Sequence, residues 1–382
     1  MARVLFVCPV VPAPARNGLA MRAGVSVEGL GQRHDLTVAV IRSPVDPADL
    51  GWVRRHSRAV IDTPYDSDRQ SATSWMWSER GRRVAGHALP GLARHLPPSV
   101  GRRIIDEVGR DFDIVVVMGT YVAGAALPLL DAGVAGILDA FDDDVRTNES
   151  LARLDPAYAD EIPRYDAFQR EVFPWFDRVL FASLEDAVPP FLHLPNAVRI
   201  PPTWPLRPRG DALELLFVGN AAYLPNRDAL DRLVHGIVPA IEGLGVSVQL
   251  LHPRPDGDVG PFYERSHIAA VPLRAAGGTR IKILEAFAHG CPVVSTPTGA
   301  RGLGVTDGEQ LVVTTDDDDD RAFAKAVVEL AGDDDRRARL AAAARAFVVA
   351  DHDARHAGAR LAKLVEERAE ARSGHGDRVH PG

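Results

Sequence analysis

Four prolines within sixteen residues, NAVRIPPTWPLRPRGD at 196–211, divide this chain of 382 residues into two stretches that repeat one pattern. Before the division, apolar runs at 3–7, 36–41, 114–118, 135–138 and 178–182 alternate with helical segments, notably 19–33 and 163–173. After it come strands at 213–218, 246–251, 268–271 and 292–295, with helices at 226–237 and 279–289. Helical segments at 319–331, 334–349 and 352–371 follow them. The runs are continuously apolar rather than alternating, as strands buried on both faces of a parallel sheet must be. Strands alternating with helices predict an α/β fold of two doubly wound, Rossmann-like domains. A cleft should lie between the two sets of strand C-terminal ends, where such sheets bind ligands. The expected division is a first domain at 1–195, a hinge at 196–212 and a second domain at 213–350. A C-terminal helix at 351–371 is a candidate to cross back to the first domain, and 372–382 reads as a disordered tail.

Composition narrows the function. A net charge of −8 disfavours a general nucleic-acid binder. Cys8 and Cys291 stand far apart and each precedes proline, which excludes a disulfide framework and reads as two small buried hydrophobes in a reducing compartment. The opening run is broken by prolines almost at once and no apolar run reaches about 18 residues, so a cytoplasmic location is expected. Residues 69–110 hold eight arginines against three acids, with Trp75 and Trp77 among them. That composition suits a membrane-surface or acceptor-binding face, or else an amphipathic helical cover whose arginines snorkel.

The chemistry concentrates at 274–296, RAAGGTRIKILEAFAHGCPVVST. Gly277, Gly278 and Thr279 open a helical run that carries Arg280, Lys282 and Glu285 in its first turns. Unpaired backbone N–H groups at a helix start, with glycines admitting a ligand closely, make an anion site to which two cations add charge. Glu285 is placed to accept two hydroxyls, as from a ribose, or to pair within its helix. Gly219 and Asn220 follow the first strand of the second domain and face the same cleft, while Tyr223, Pro225 and Asn226 read as loop and cap chemistry. In the first domain, Asn17 and Gly18 end the loop after the first strand and Arg22 lies a turn further on, a turn with a solvated arginine or a phosphate contact. Asp139, Asp142, Asp143 and Asp144 cluster after another strand. They suit a metal, a proton transfer or sugar hydroxyls, or an acid-rich helix start. Asp316 to Asp320 reads as a solvated cap. The histidines show no zinc spacing, and neither GxGxxG nor GxSxG occurs.

These segments resemble glycosyltransferase family 4, with its two-domain GT-B architecture. VPLRAAGGTRIKILEAFAHGCPVVSTPTGARGL (271–303) is similar to the family's donor-site segment, LLFVGNAAYLPNRDALDRLV (215–234) to the start of its second domain. PVVPAPARNGLAMR (9–22) resembles its N-terminal loop, and LPNAV (194–198) the turn before its hinge. The resemblance implies a retaining transferase that takes sugar from a nucleoside-diphosphate sugar, UDP favoured and GDP the other option, with no obligatory metal or cofactor. Carried over by position, Gly278, Thr279 and Arg280 hold the diphosphate with Lys282 beside them, and Glu285 the ribose; Gly277, Gly219 and Asn220 are further donor-site candidates. Asn17, Gly18, Asp142 and Asp143 are the catalytic candidates, and Arg22, Trp75 and Trp77 the acceptor-side candidates. The acceptor class is open among specialised metabolites and glycan precursors of a bacterial cell surface. Three departures stand out. Gly277 occupies the position of the family's first glutamate, Asn17-Gly18 replaces a glycine pair, and only sixteen residues, HPRPDGDVGPFYERSH, join the strands at 246–251 and 268–271. The last of these motivates an alternative, a catalytically silent GT-B protein that binds nucleotide or activates a partner transferase.

Overall fold

The computed structural model describes residues 1–42, 49–64, 78–94, 99–201, 212–253, 258–278 and 280–376. Strands β1 (Arg3–Cys8), β2 (Asp35–Arg42), β3 (Ala59–Pro64), β4 (Ile114–Met118), β5 (Ala135–Phe141), β6 (Arg178–Phe181) and β7 (Leu192–His193) pair in parallel. Their order is β3-β2-β1-β4-β5-β6-β7. Its central strands are buried on both faces: Val4, Leu5, Phe6 and Val7 are at most 1 % exposed. Each such side chain contributes about 1.5–3 kcal/mol by leaving water. Helix α1 (Gly18–Gly31) follows β1, and α2 (Asp144–Leu151) follows β5.

The second sheet holds β8 (Leu213–Leu216), β9 (Val248–Leu251), β10 (Ile268–Val271), β11 (Val293–Ser295) and β12 (Val312–Val313), in the order β12-β11-β10-β8-β9 and also parallel. Its connections include α3 (Leu224–Arg232), α4 (Gly260–Arg265) and α5 (Ile281–Ala288). The expected α/β architecture of two doubly wound domains is therefore present. Strands β3, β7 and β12 escaped the sequence reading because they are short or partly exposed edge strands, where the apolar pattern is weakest.

The last helix, α6 (Ala354–Gly376), returns to the first domain and packs along α1. It continues through five residues assigned in the sequence to a disordered tail; 377–382 lie outside the described residues. A side chain on Gly29 would overlap the backbone of Gly358, so these two glycines let the helices touch at main-chain distance. The crossing between domains is thus double. Val198 forms a parallel bridge with Asp353, and His352 hydrogen-bonds the Asn196 carbonyl through Nδ1 at 2.6 Å. Most of the proline-rich hinge, 202–211, lies outside the described residues.

Candidate active site

In the second sheet β8 lies between β9 and β10, so the loops leaving β8 and β10 diverge and open a crevice at their strand ends. Both glycine-containing segments singled out in the sequence are those loops: 217–223 after β8, and 272–280 after β10. Topology thus unites two motifs more than fifty residues apart.

The helix after the glycine pair begins at Ile281, so Arg280 stands at its N-cap rather than within it. Thr279 lies outside the described residues. Gly278 adopts φ +56°, a left-handed turn that favours glycine. Arg280 is only 8 % exposed, yet its Nε and Nη1 find no hydrogen-bond partner among the described residues. Burial holds its guanidinium below the usual range, partly offset by the Asp142 carboxylate nearby. A buried cation with two N–H nitrogens left unbonded at a helix start is a demand for an anion.

Lys282 turns toward the β8 loop. Its Nζ donates to Asn226 Oδ1 at 2.7 Å and sits 4.7 Å from the centre of the Phe217 ring. Burial, then the Arg280 charge, lowers its pKa to about 7. Glu285 is raised to about 7 by burial, with Tyr263 and Lys282 pulling it down. The Tyr263 hydroxyl donates to the Lys282 carbonyl at 3.0 Å and stands 3.5 Å from Glu285 Oε2. Tyr263 belongs to α4, so the short connection 252–267 places a helix directly beneath the acid. Gly219 packs against Asn226, whose Nδ2 donates to the Asn220 carbonyl at 3.1 Å.

The first domain meets this loop at several points. A side chain on Gly18 would approach Ile281 Cδ1 to 2.9 Å, so the loop after β1 abuts the start of α5. Asn17 caps α1, accepting from Ala20 N at 3.0 Å. At the last residue of β5 the chain makes a tight turn, Phe141 with φ +50°, and this presents the half-buried Asp142 to Gly278; a side chain at 278 would overlap that carboxylate. Burial raises Asp142 to about 6 against the pull of Arg280 and Arg22. Asp144, which accepts from Gln169 Nε2 at 3.4 Å, is raised to about 7 by burial and the Asp142 charge.

Several sequence expectations are corrected here. Asp143 does not face the cleft chemistry: its Oδ1 accepts from Val145 N at 2.9 Å as the N-cap of α2, and it pairs with Arg146. Arg22, proposed for the acceptor side, is instead 5 % exposed and held by the first domain and the start of the hinge. Its Nε and Nη2 grip Asp139 at 2.8 and 2.7 Å, Nη1 reaches Asn196 Oδ1 at 2.9 Å, and Nη2 the Leu194 carbonyl at 3.0 Å. The partner lies 117 residues away, beyond the reach of local spacing. Asp317, expected on a solvated cap, accepts from Thr298 Oγ1 at 2.6 Å and from Arg153 of the first domain at 3.1 Å. Trp75 and Trp77 lie outside the described residues. Sequence reasoning left Tyr223 in a loop-building role, whereas its phenol lies within range of the Arg280 and Asp142 charges. A tyrosine four residues beyond Gly219, in a loop leaving a buried strand, was the available signal. No group of histidine, cysteine or acidic side chains fit to hold a metal occurs among the described residues.

Two parallel sheets, of seven and five strands, match the two-domain GT-B fold of glycosyltransferases. Residues 203–333, which carry most of the donor-side geometry, match the family model of Glycosyl transferases group 1. Sucrose-phosphate synthase from Thermosynechococcus elongatus superposes with TM-score 0.68 at 14 % identity, over 97 % of this chain and 100 % of that one. Anabaena HepE, solved in complex with UDP-glucose, gives 0.63 at 14 % identity, over 96 % and 100 %. A putative UDP-N-acetylglucosamine 2-epimerase from Listeria monocytogenes gives 0.58 at 15 % identity, over 97 % and 98 %. Identities this low speak for the fold alone. None of the curated proteins matches the sequence.

Proposed function

We propose that this chain is a retaining glycosyltransferase of family 4 that moves a sugar from a nucleoside-diphosphate sugar to a hydroxyl acceptor. The observation that carries the reading is Arg280: buried, unpartnered at Nε and Nη1, and set at the start of α5 where the switch-point crevice opens. A diphosphate answers that demand, and Lys282 adds a second cation beside it. Glu285, one turn along the same helix, accepts the ribose hydroxyls. UDP-sugars are the favoured donors and GDP-sugars the alternative, consistent with the UDP-glucose complex of the similar HepE fold.

In transfer, the bond from the anomeric carbon to the diphosphate oxygen breaks while one to the acceptor oxygen forms on that same face, as retention requires. Negative charge gathers on the departing diphosphate, where Arg280, Lys282 and the helix start stabilise it without reorganising. Asp142, the carboxylate that the first domain turns onto the donor loop, is the candidate to take the acceptor proton. Closure of the domains keeps water from competing with the acceptor. This chemistry asks for no metal and no resident cofactor. The reading places the protein in the cytoplasm; among the described residues no helix is long and apolar enough to cross a membrane. The acceptor belongs to specialised-metabolite or cell-surface glycan chemistry, with residues 69–110 as its contact or a peripheral membrane contact.

The test is release of UDP or GDP from a panel of nucleotide sugars, with and without candidate acceptors. Arg280→Ala and Glu285→Ala should each abolish it, and unchanged turnover in both overturns the assignment. A second reading, a silent nucleotide-binding partner of another transferase, is favoured by Gly277, which lacks the carboxylate of the family pattern. Tight UDP binding with neither hydrolysis nor transfer across the panel selects it.

A further inference from the structure

Gly277 lies outside the left-handed region, so its backbone conformation does not call for glycine. What calls for it is a neighbour from the other domain. A methyl at 277 would stand 2.5 Å from Thr147 Oγ1, 2.6 Å from its Cγ2 and 3.1 Å from its Cβ. Contacts below about 3 Å force displacement, and a close-packed site resists it. Thr147 sits on α2, and one turn on, at the same helix face, Ser150 Oγ accepts from Ala276 N–H at 3.0 Å. Just beyond the end of α2, Arg153 reaches Asp317 at 3.1 Å. One face of a first-domain helix is therefore seated on 276–278, the loop that leads directly into Arg280 and α5.

We propose that Gly277 is a socket for Thr147, and that Thr147 is a positioning residue: seated there, α2 sets the donor loop in the form that aims Arg280 at the diphosphate. The donor site is then completed only when the two domains dock, and nucleotide binding and domain closure are coupled through this contact. What the loop binds rests on the function proposed above; the socket itself does not.

A bump-and-hole experiment on the full chain tests both separately. Gly277→Ala fills the socket, and Thr147→Ala removes the two closest atoms of its occupant. UDP affinity is measured by calorimetry and the radius of gyration by solution scattering, for the wild type, both single variants and the double variant. Gly277→Ala should weaken UDP binding by about tenfold or more and enlarge the radius of gyration, while the double variant returns both toward wild type. Rescue is the outcome that a merely local fault in the loop does not produce. Wild-type behaviour of Gly277→Ala, or a loss that Thr147→Ala leaves unrelieved, overturns the proposal. Should Gly277→Ala fail to fold, the double variant decides alone: recovery supports the socket and continued failure overturns it. A wild-type protein that binds no nucleoside diphosphate defeats the donor reading, and the scattering comparison still decides the socket.

Discussion

At the scale of single residues, the candidate site is a set of ionisable groups held away from their ordinary protonation. Lys282 is lowered to about 7, Glu285 raised to about 7 and Asp142 raised to about 6, each chiefly by burial. An arriving diphosphate raises all three, because its negative charge favours the protonated form of every neighbour. Binding near pH 7.5 is therefore expected to take up protons. Calorimetry of UDP binding in buffers of different ionisation enthalpy should give observed enthalpies that scale with the buffer; identical enthalpies would refute it. Glu285 carries a second expectation. Its folded pKa lies above its ordinary 4.5, so the stability tied to its neutral form is complete below about 4.5 and lost as pH climbs through about 7. Glu285→Gln should melt higher than wild type at pH 8, by roughly 2–4 °C, with the difference vanishing at pH 4. A constant difference across that range would point to another cause. Arg280, Lys282 and Glu285 were visible in the sequence because one helix start gathers them. Tyr263, Tyr223 and Phe217 join them only through sheet topology, which local spacing does not encode.

At the scale of elements, α2 separates two aspartates that look equivalent in sequence. Asp143 caps the helix, and Asp142 faces Gly278. Asp143→Asn preserves a capping oxygen and should leave turnover within about twofold, while Asp143→Ala costs about 1 kcal/mol of stability. Asp142→Asn should lower turnover by about 10²-fold with folding intact, as loss of a proton acceptor does. Steady-state kinetics beside thermal melts distinguish the two, and equal effects at both positions would deny Asp142 its role. The cap was readable as a pattern, since acids crowd helix starts. Which acid caps depends on the tight turn at Phe141, a backbone conformation with no sequence signature in a non-glycine residue. Helix α4 was missed for a simpler reason: six residues opening on Gly260-Pro261 hold too little periodicity to register.

Over the whole molecule, the last helix finishes the first domain. Leu361, Ala362 and Val365 of α6 are at most 1 % exposed and share a core with Val27 and Leu30 of α1. Gly358→Leu would drive a side chain into the α1 backbone at Gly29 and should lower the melting temperature by roughly 5 °C or more in calorimetry. A shift within about 1 °C would mean that the helices separate without cost. The two-domain plan was legible because apolar runs and helices repeat on either side of the prolines. The Arg22–Asp139–Asn196 network behind the hinge was not, since each member looks like a surface residue until the chain folds. The order of synthesis gives the returning helix a further meaning. At ~5–20 residues per second, β1 waits on the order of 20–70 s after it is made before α6 emerges to cover its side of the sheet. The second domain, contiguous in sequence, has no such wait. The domain begun first on the ribosome is completed last, and a chain stalled short of residue 354 would carry a finished second domain on an open first one.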